Sequence, residues 1–168
     1  MPDRDVIGRL LQLTAEAERR NTNDPDRRAE SRGWIREGAP DGLPGSALGP
    51  QDATGRLPPH DFSGLRPANH LPSAVFERTP TIAVLSTAHD SRADWLRTGQ
   101  ALEHVLLAAT ARSVPASLLH QALEWPDLRS TMRDIGGGPT HVQMLIRLGY
   151  GPAGPATARR PPRETYVD

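Results

Sequence analysis

TIAVLST at Thr81–Thr87, SRADWLRTGQALEHVLLAATAR at Ser91–Arg112, PDLRSTMRDI at Pro126–Ile135 and VQMLIRL at Val142–Leu148 are the segments whose reading decides the fold. The first is short, apolar and β-branched, which suits a buried strand. The second places Trp95, Gly99, Leu102, Leu106 and Ala109 at helical spacing, with Leu96, Val105 and Leu107 filling neighbouring positions. Such a helix is apolar around most of its circumference and is expected to be a central helix buried on several sides. Gly99 inside it costs about 1 kcal/mol against alanine, so something is expected to approach the backbone there, a packed helix being the simplest cause. Pro126 opens a shorter helix through Leu128, Met132 and Ile135, closed by Gly136–Gly138. In the last segment Val142, Met144, Ile146 and Leu148 alternate with Gln143, Leu145 and Arg147, the pattern of a second strand.

Outward from this core the chain thins. On the N-terminal side Val6, Leu10, Leu13 and Ala17 recur at helical spacing from Asp5 to about Arg20, with Ile7 and Leu11 widening the stripe. Asp24 followed by Pro25 is a cap and first-turn pair for a second helix that carries Trp34 and Ile35 and stops near Gly38. Asn21–Asn23 is expected to join the two helices. From Gly38 to Pro80 there are eight prolines and six glycines, which sustain neither a helix nor an interior strand. After Tyr150 the tail is Pro-rich and extended. The expected organisation is a helical pair over 1–37, a covering arm over 38–80 and a lobe with an extended tail over 81–168, in the α+β class.

Composition limits the chemistry. The 20 basic and 20 acidic residues balance to zero and mix along the chain, so nothing resembles an electrostatic footprint for nucleic acid or anionic lipid. All 20 basic residues are arginine, as expected of a GC-rich genome, which excludes a lysine Schiff base and a P-loop lysine. Without cysteine there is no disulfide framework or thiol nucleophile, and a cytoplasmic setting fits. The first residues lack a signal-peptide apolar block, and the longest apolar run is too short to span a bilayer.

Gly149, Gly151 and Gly154 match G-x-G-x-x-G after a strand, but the prolines that follow forbid the helix which would hold a pyrophosphate. The six histidines show no metal-type spacing, and no nucleophile elbow or carboxylate pair stands out. What remains is an anion site or a solvated basic tail at Arg159, Arg160 and Arg163, whose guanidinium forks suit phosphate.

The order DWLRTGQALEHVLLAATARSVPAS, QALEWPDLR, QMLIRLGYGP and ARRPP resembles the C-terminal half of the nitroreductase superfamily of FMN-dependent oxidoreductases. More closely it resembles the two-lobed Acg-like branch of actinobacteria, and DPDRRAESRGWIR with DGLPGSALGP is similar to that branch's middle region. The resemblance implies a half-lobe with a central buried helix on a small, mainly antiparallel sheet. It implies hydride transfer from NAD(P)H through FMN to a small-molecule acceptor, with no protein acid or base required. It places Ser117, His120 and Gln121, in the loop Ala116–Gln121, by the flavin ring, and Arg159 and Arg160 on its phosphate. A glycine is common at the helix exit in that family; here Ser113 holds the place, with Pro115 close behind. Relatives in the branch are about twice as long, so the chain is expected to begin mid-molecule and to complete its site as a homodimer or with a separate nitroreductase-like lobe. The competing expectation is a non-catalytic flavin-binding or sequestering protein, or a truncated remnant, with the arm as a covering segment.

Overall fold

The structure, a computed structural model, describes residues 4–36, 38–39, 41–58, 60, 62, 72–135, 140–151, 157 and 160–164. It is an α+β arrangement with a small antiparallel sheet, as expected. Helix α1 (Arg4–Asn23) turns directly into α2 (Pro25–Trp34), where the Asp24 carboxylate accepts from the backbone N–H of Asp26 at 2.9 Å and of Arg27 at 3.2 Å. These bonds satisfy N–H groups that have no partner in the first turn of a helix. Asn21–Asn23 is not a linker, contrary to expectation, but the last turn of α1. The buried Asn21 amide oxygen accepts from Trp125 Nε1 at 3.0 Å and from Arg27 Nη1 at 3.2 Å, and these tertiary bonds override asparagine's weak helix propensity.

The arm contributes two very short strands, β1 (Gln51–Asp52) and β2 (Ser73–Ala74), paired in parallel. The Asp52 carboxylate folds the next turn around itself, accepting from Thr54 Oγ1 and from the backbone N–H groups of Thr54, Arg56 and Leu57. Burial alone would raise its pKa, but these hydrogen bonds together hold it far below the usual carboxylate range.

Strand β3 (Thr81–Thr87) is where the sequence places it, and α3 (Arg92–Thr110) begins with Ser91 and Asp94 in a reciprocal capping box. At its far end the N–H of Ser113 donates to Thr110 O at 2.9 Å and that of Val114 to Ala109 O at 2.9 Å, a Schellman closure. Ser113 takes the left-handed φ of +54° that this closure demands, a conformation usually filled by glycine.

The chain then forms β4 (Ala116–Leu118), expected as a loop. Three residues after a proline, exposed on both faces, carry no strand pattern. They become a strand because β5 (His141–Leu148) has a free edge on which their backbone can pair. The sheet order is β3-β5-β4, antiparallel throughout. A tight turn at Gln121–Glu124 leads into α4 (Pro126–Thr131), which tightens into a 3-10 turn at Met132–Asp134. Gly136–Gly138 lie outside the described residues.

Strict alternation along β5 fails at one point. Leu85 pairs with Met144 and Ser86 with Val142, so Gln143 is an extra residue and Val142 turns to the face of Leu145. That face builds the core, where Ile82, Val142 and Leu145 meet Leu10 and Ala17 of α1, Leu119, Ala122, Leu128 and Met132. The bulged Gln143 donates to Thr87 Oγ1 at 2.9 Å and to Asp90 at 3.1 Å, while Arg129 donates to its amide oxygen at 2.9 Å. Asp90 also accepts from Trp95 Nε1 at 2.6 Å, tying α3, α4 and the sheet together.

Helix α3 corrects the expectation of burial on several sides. It lies on the sheet through β3 and β5, yet Trp95 is 50% exposed, Leu96 74% and Leu107 63%. A β-carbon on Gly99 would meet nothing within 4 Å, so no packed helix of the described chain explains that glycine. The sheet covers one side of α3, and among the described residues the chain brings no second layer against the other.

Candidate functional site

Two imidazoles, each next to a carboxylate, meet where the arm crosses the turn after β4. Glu18 projects from the last part of α1, and His60 comes from the arm with Nδ1 at 3.1 Å from Glu18 Oε2. The His60 ring stands edge-on to Phe62 with centroids 4.3 Å apart, and lies 5.7 Å from the His120 ring. His120 Nε2 is 3.2 Å from Glu124 Oε1, one helical turn further on. The other Glu124 oxygen accepts from Arg27 Nη1 at 2.6 Å, and the Arg27 guanidinium sits 4.6 Å from the centre of the Trp125 ring. Helices α1 and α2 thus fix the turn that presents His120.

Burial pushes the His120 pKa down, and His60 pushes the same way, against the pull of Glu124 and Glu18. Around pH 7 His120 is therefore a neutral imidazole with one donor and one acceptor nitrogen. Gln121 beside it is fully buried, and neither atom of its side-chain amide has a hydrogen-bond partner. Buried amides are nearly always paired, so this one offers an unused donor and an unused acceptor. The two rings, with centroids 5.7 Å apart, are each within hydrogen-bond reach of a carboxylate, which fixes their orientation. Among the described residues no group of three or more His, Cys, Asp or Glu side chains could hold a metal ion.

Of the residues singled out in the sequence, His120 lies in this cluster, and Gln121 follows it in the chain with its side chain fully buried. Ser117 sits on β4 opposite Arg147, exposed. Arg160 lies against the arm, its Nε 3.4 Å from Asp41 Oδ2, and Arg159 lies outside the described residues. Arg147 is itself held by Glu77, its Nε and Nη2 donating at 2.8 and 2.6 Å, and rests 4.7 Å from the centre of the Phe76 ring.

Sequence reasoning missed Glu18, His60 and Glu124. The His120–Glu124 spacing of four was readable as a helical pair. Glu18 and His60, by contrast, are brought together by the tertiary fold across 42 residues, and no local pattern records that.

No family model matches the chain. It is similar to the Mycobacterium tuberculosis protein named "Putative NAD(P)H nitroreductase Rv3131", 30% identical over 163 residues, which are 92% of this chain and 47% of that protein. It is also similar to the same organism's "Putative NAD(P)H nitroreductase acg", 31% identical over 131 residues, 75% of this chain and 39% of that one. A third mycobacterial relative, "Uncharacterized protein Rv3127", is 39% identical over 84 residues, 48% of this chain and 24% of its own length. The chain spans about half the length, or less, of the curated relatives it matches. With that similarity running over nearly its whole length and an α+β lobe built on a small antiparallel sheet, the chain belongs to the nitroreductase superfamily.

Proposed function

We propose that this chain is the C-terminal lobe of an FMN-dependent NAD(P)H oxidoreductase of nitroreductase type, acting on a small-molecule acceptor and completed by a second copy or a separate lobe. The observation that carries the reading is the match of 92% of the chain to 47% of a relative named as an NAD(P)H nitroreductase. The exposed Leu96 and Leu107 and the open Gly99 on α3 support a partner on that face. The proposed setting is the cytoplasm, where NAD(P)H is supplied. No described helix is long and apolar enough to cross a membrane.

Two features support FMN in this reading. Arg160 already faces a carboxylate, the kind of anion a phosphate would replace, and the Gln121 amide has the donor and acceptor that a flavin's pyrimidine edge requires. When bound, FMN supplies the chemistry, accepting a hydride and passing it on. In this reading Arg159 and Arg160 hold the phosphate, while Ser117, His120 and Gln121 lie by the ring. His120, kept neutral by burial, can donate or accept a hydrogen bond without placing a charge there.

The test is titration of the purified chain with FMN and with riboflavin, followed by flavin fluorescence, and then anaerobic addition of NADH or NADPH. FMN should bind, Arg160→Ala should weaken FMN more than riboflavin, and the nicotinamide should bleach the flavin. No binding near saturation, with Arg160→Ala indistinguishable from wild type, removes the reading. A second reading, a protein that holds flavin without turning it over, is favoured by the contact of the arm's His60 with Glu18 and His120. Bound FMN that no nicotinamide bleaches would select it.

A further inference from the structure

We infer that Arg36 and Arg160 form a clamp for a phosphate monoester and that Asp41 is its internal occupant, a carboxylate displaced when phosphate enters. Arg36 Nη1 donates to Asp41 Oδ1 at 3.1 Å, and Arg160 Nε lies 3.4 Å from Asp41 Oδ2. One carboxylate therefore spans two guanidinium groups, one at the end of α2 and one in the C-terminal tail. Among the described residues two cations face this one anion, and a phosphate dianion would match their combined charge. A monoester also offers three terminal oxygens where the carboxylate offers two, so both guanidinium forks would gain acceptors.

The backbone builds this placement. The N–H of Arg36 donates to Leu43 O at 2.9 Å and that of Leu43 to Trp34 O at 2.8 Å, closing the loop that carries Asp41. Gly42 makes the closure possible, with φ at +85° and a β-carbon position only 2.8 Å from Trp34 O. The Arg36 Nε donates back to Gly33 O at 3.4 Å, which directs its guanidinium along the loop. The Arg36 and Arg160 side chains are 56% and 53% exposed, so an anion can reach both from solvent. An exposed ion pair favours the closed state by a factor of only about 1.5 to 5, which a dianion can overcome. Neither Arg36 nor Asp41 has a role in the flavin reading above; the clamp rests on that reading for the identity of its natural ligand alone.

The experiment titrates inorganic phosphate into the whole chain and follows the arginine Nε–H signals by nuclear magnetic resonance. Wild type should show saturable shifts at Arg36 and Arg160. Asp41→Asn should bind about fivefold tighter, the size of one exposed ion pair, and Arg36→Gln should abolish the saturable response at Arg160. Parallel titrations with FMN and riboflavin identify the source of the phosphate: Asp41→Asn should strengthen FMN and leave riboflavin unchanged. If Asp41→Asn binds phosphate no more tightly and Arg36→Gln no more weakly, the clamp is overturned. FMN binding that depends on Arg160 while ignoring Arg36 and Asp41 overturns the clamp and spares the flavin reading. Phosphate behaving as expected while neither flavin binds does the reverse.

Discussion

Replacing Leu96 and Leu107 by glutamate tests the assembly that α3 implies. The two positions lie eleven residues apart, three helical turns, so they share one stripe, with Gly99 one turn on from Leu96. Burying a whole leucine side chain is worth about 1.5–3 kcal/mol. Leu96 has 74% of its surface still open and Leu107 63%, so covering both recovers about 2–4 kcal/mol per protomer. At about 1.4 kcal/mol per decade this is a change of roughly 30- to 1,000-fold in the dissociation constant, squared where both protomers of a symmetric pair present the stripe. Sedimentation velocity across a hundredfold range of concentration should show wild type associating and the double variant monomeric. Because both side chains face solvent in the single chain, urea melts of the monomer should agree to within about 0.5 kcal/mol. A wild-type chain that stays monomeric throughout refutes self-association. A double variant that associates as well as wild type refutes the stripe.

Ser113→Gly should stabilise the chain, by up to about 1 kcal/mol, since the left-handed φ of +54° costs a side chain roughly 1–2 kcal/mol and part of that returns as glycine's greater freedom when unfolded; a lower urea midpoint would contradict the Schellman closure. Gly42→Ala should destabilise by about 2 kcal/mol or more, as its β-carbon would combine a left-handed φ with a 2.8 Å approach to a backbone oxygen, and a thermal melt unchanged from wild type would count against the loop geometry. Ile146→Ala should cost about 2–5 kcal/mol as a fully buried β5 side chain, which denaturant unfolding can check. Since the folded pKa of His120 lies below its ordinary value near 6.5, the unfolded chain binds that proton first as pH falls. Its effect is therefore a loss of stability from about pH 7 downward through 6.5 towards the folded value. The urea midpoint should drop less between pH 7.5 and 5.5 in His120→Gln than in wild type, and an equal drop would show that the fold does not disfavour the protonated His120 ring.

Much of the fold was legible because it is written in local patterns. Thr81–Thr87 is a strand because β-branched and apolar residues run without a turn signal. Asp24 with Pro25 and Ser91 with Asp94 mark helix starts by bonds that reach two or three residues. Strand β4 was invisible, since its pairing comes from the edge of β5 and not from Ala116, Ser117 or Leu118. The face of Val142 was misread because a one-residue bulge at Gln143 reverses alternation, and the bulge is held by Thr87, Asp90 and Arg129 from other elements.

The site divides along the same line. His120, Gln121 and the arginine-bearing tail were singled out by residue order and resemblance. Their surroundings were not. Glu18 and His60 meet across a fold, and Asp41 faces both Arg36 and Arg160 because the loop closed by Gly42 brings it there. By itself the sequence determined the α+β class, the positions of the main strands and helices and the resemblance to nitroreductases, all of which depend on short-range patterning and residue order. The tertiary structure alone decided which side chains share the core, which charges pair, and that α3 keeps an uncovered face. Burial and long-range pairing are properties of neighbours in space, and those neighbours exist only once the chain has folded.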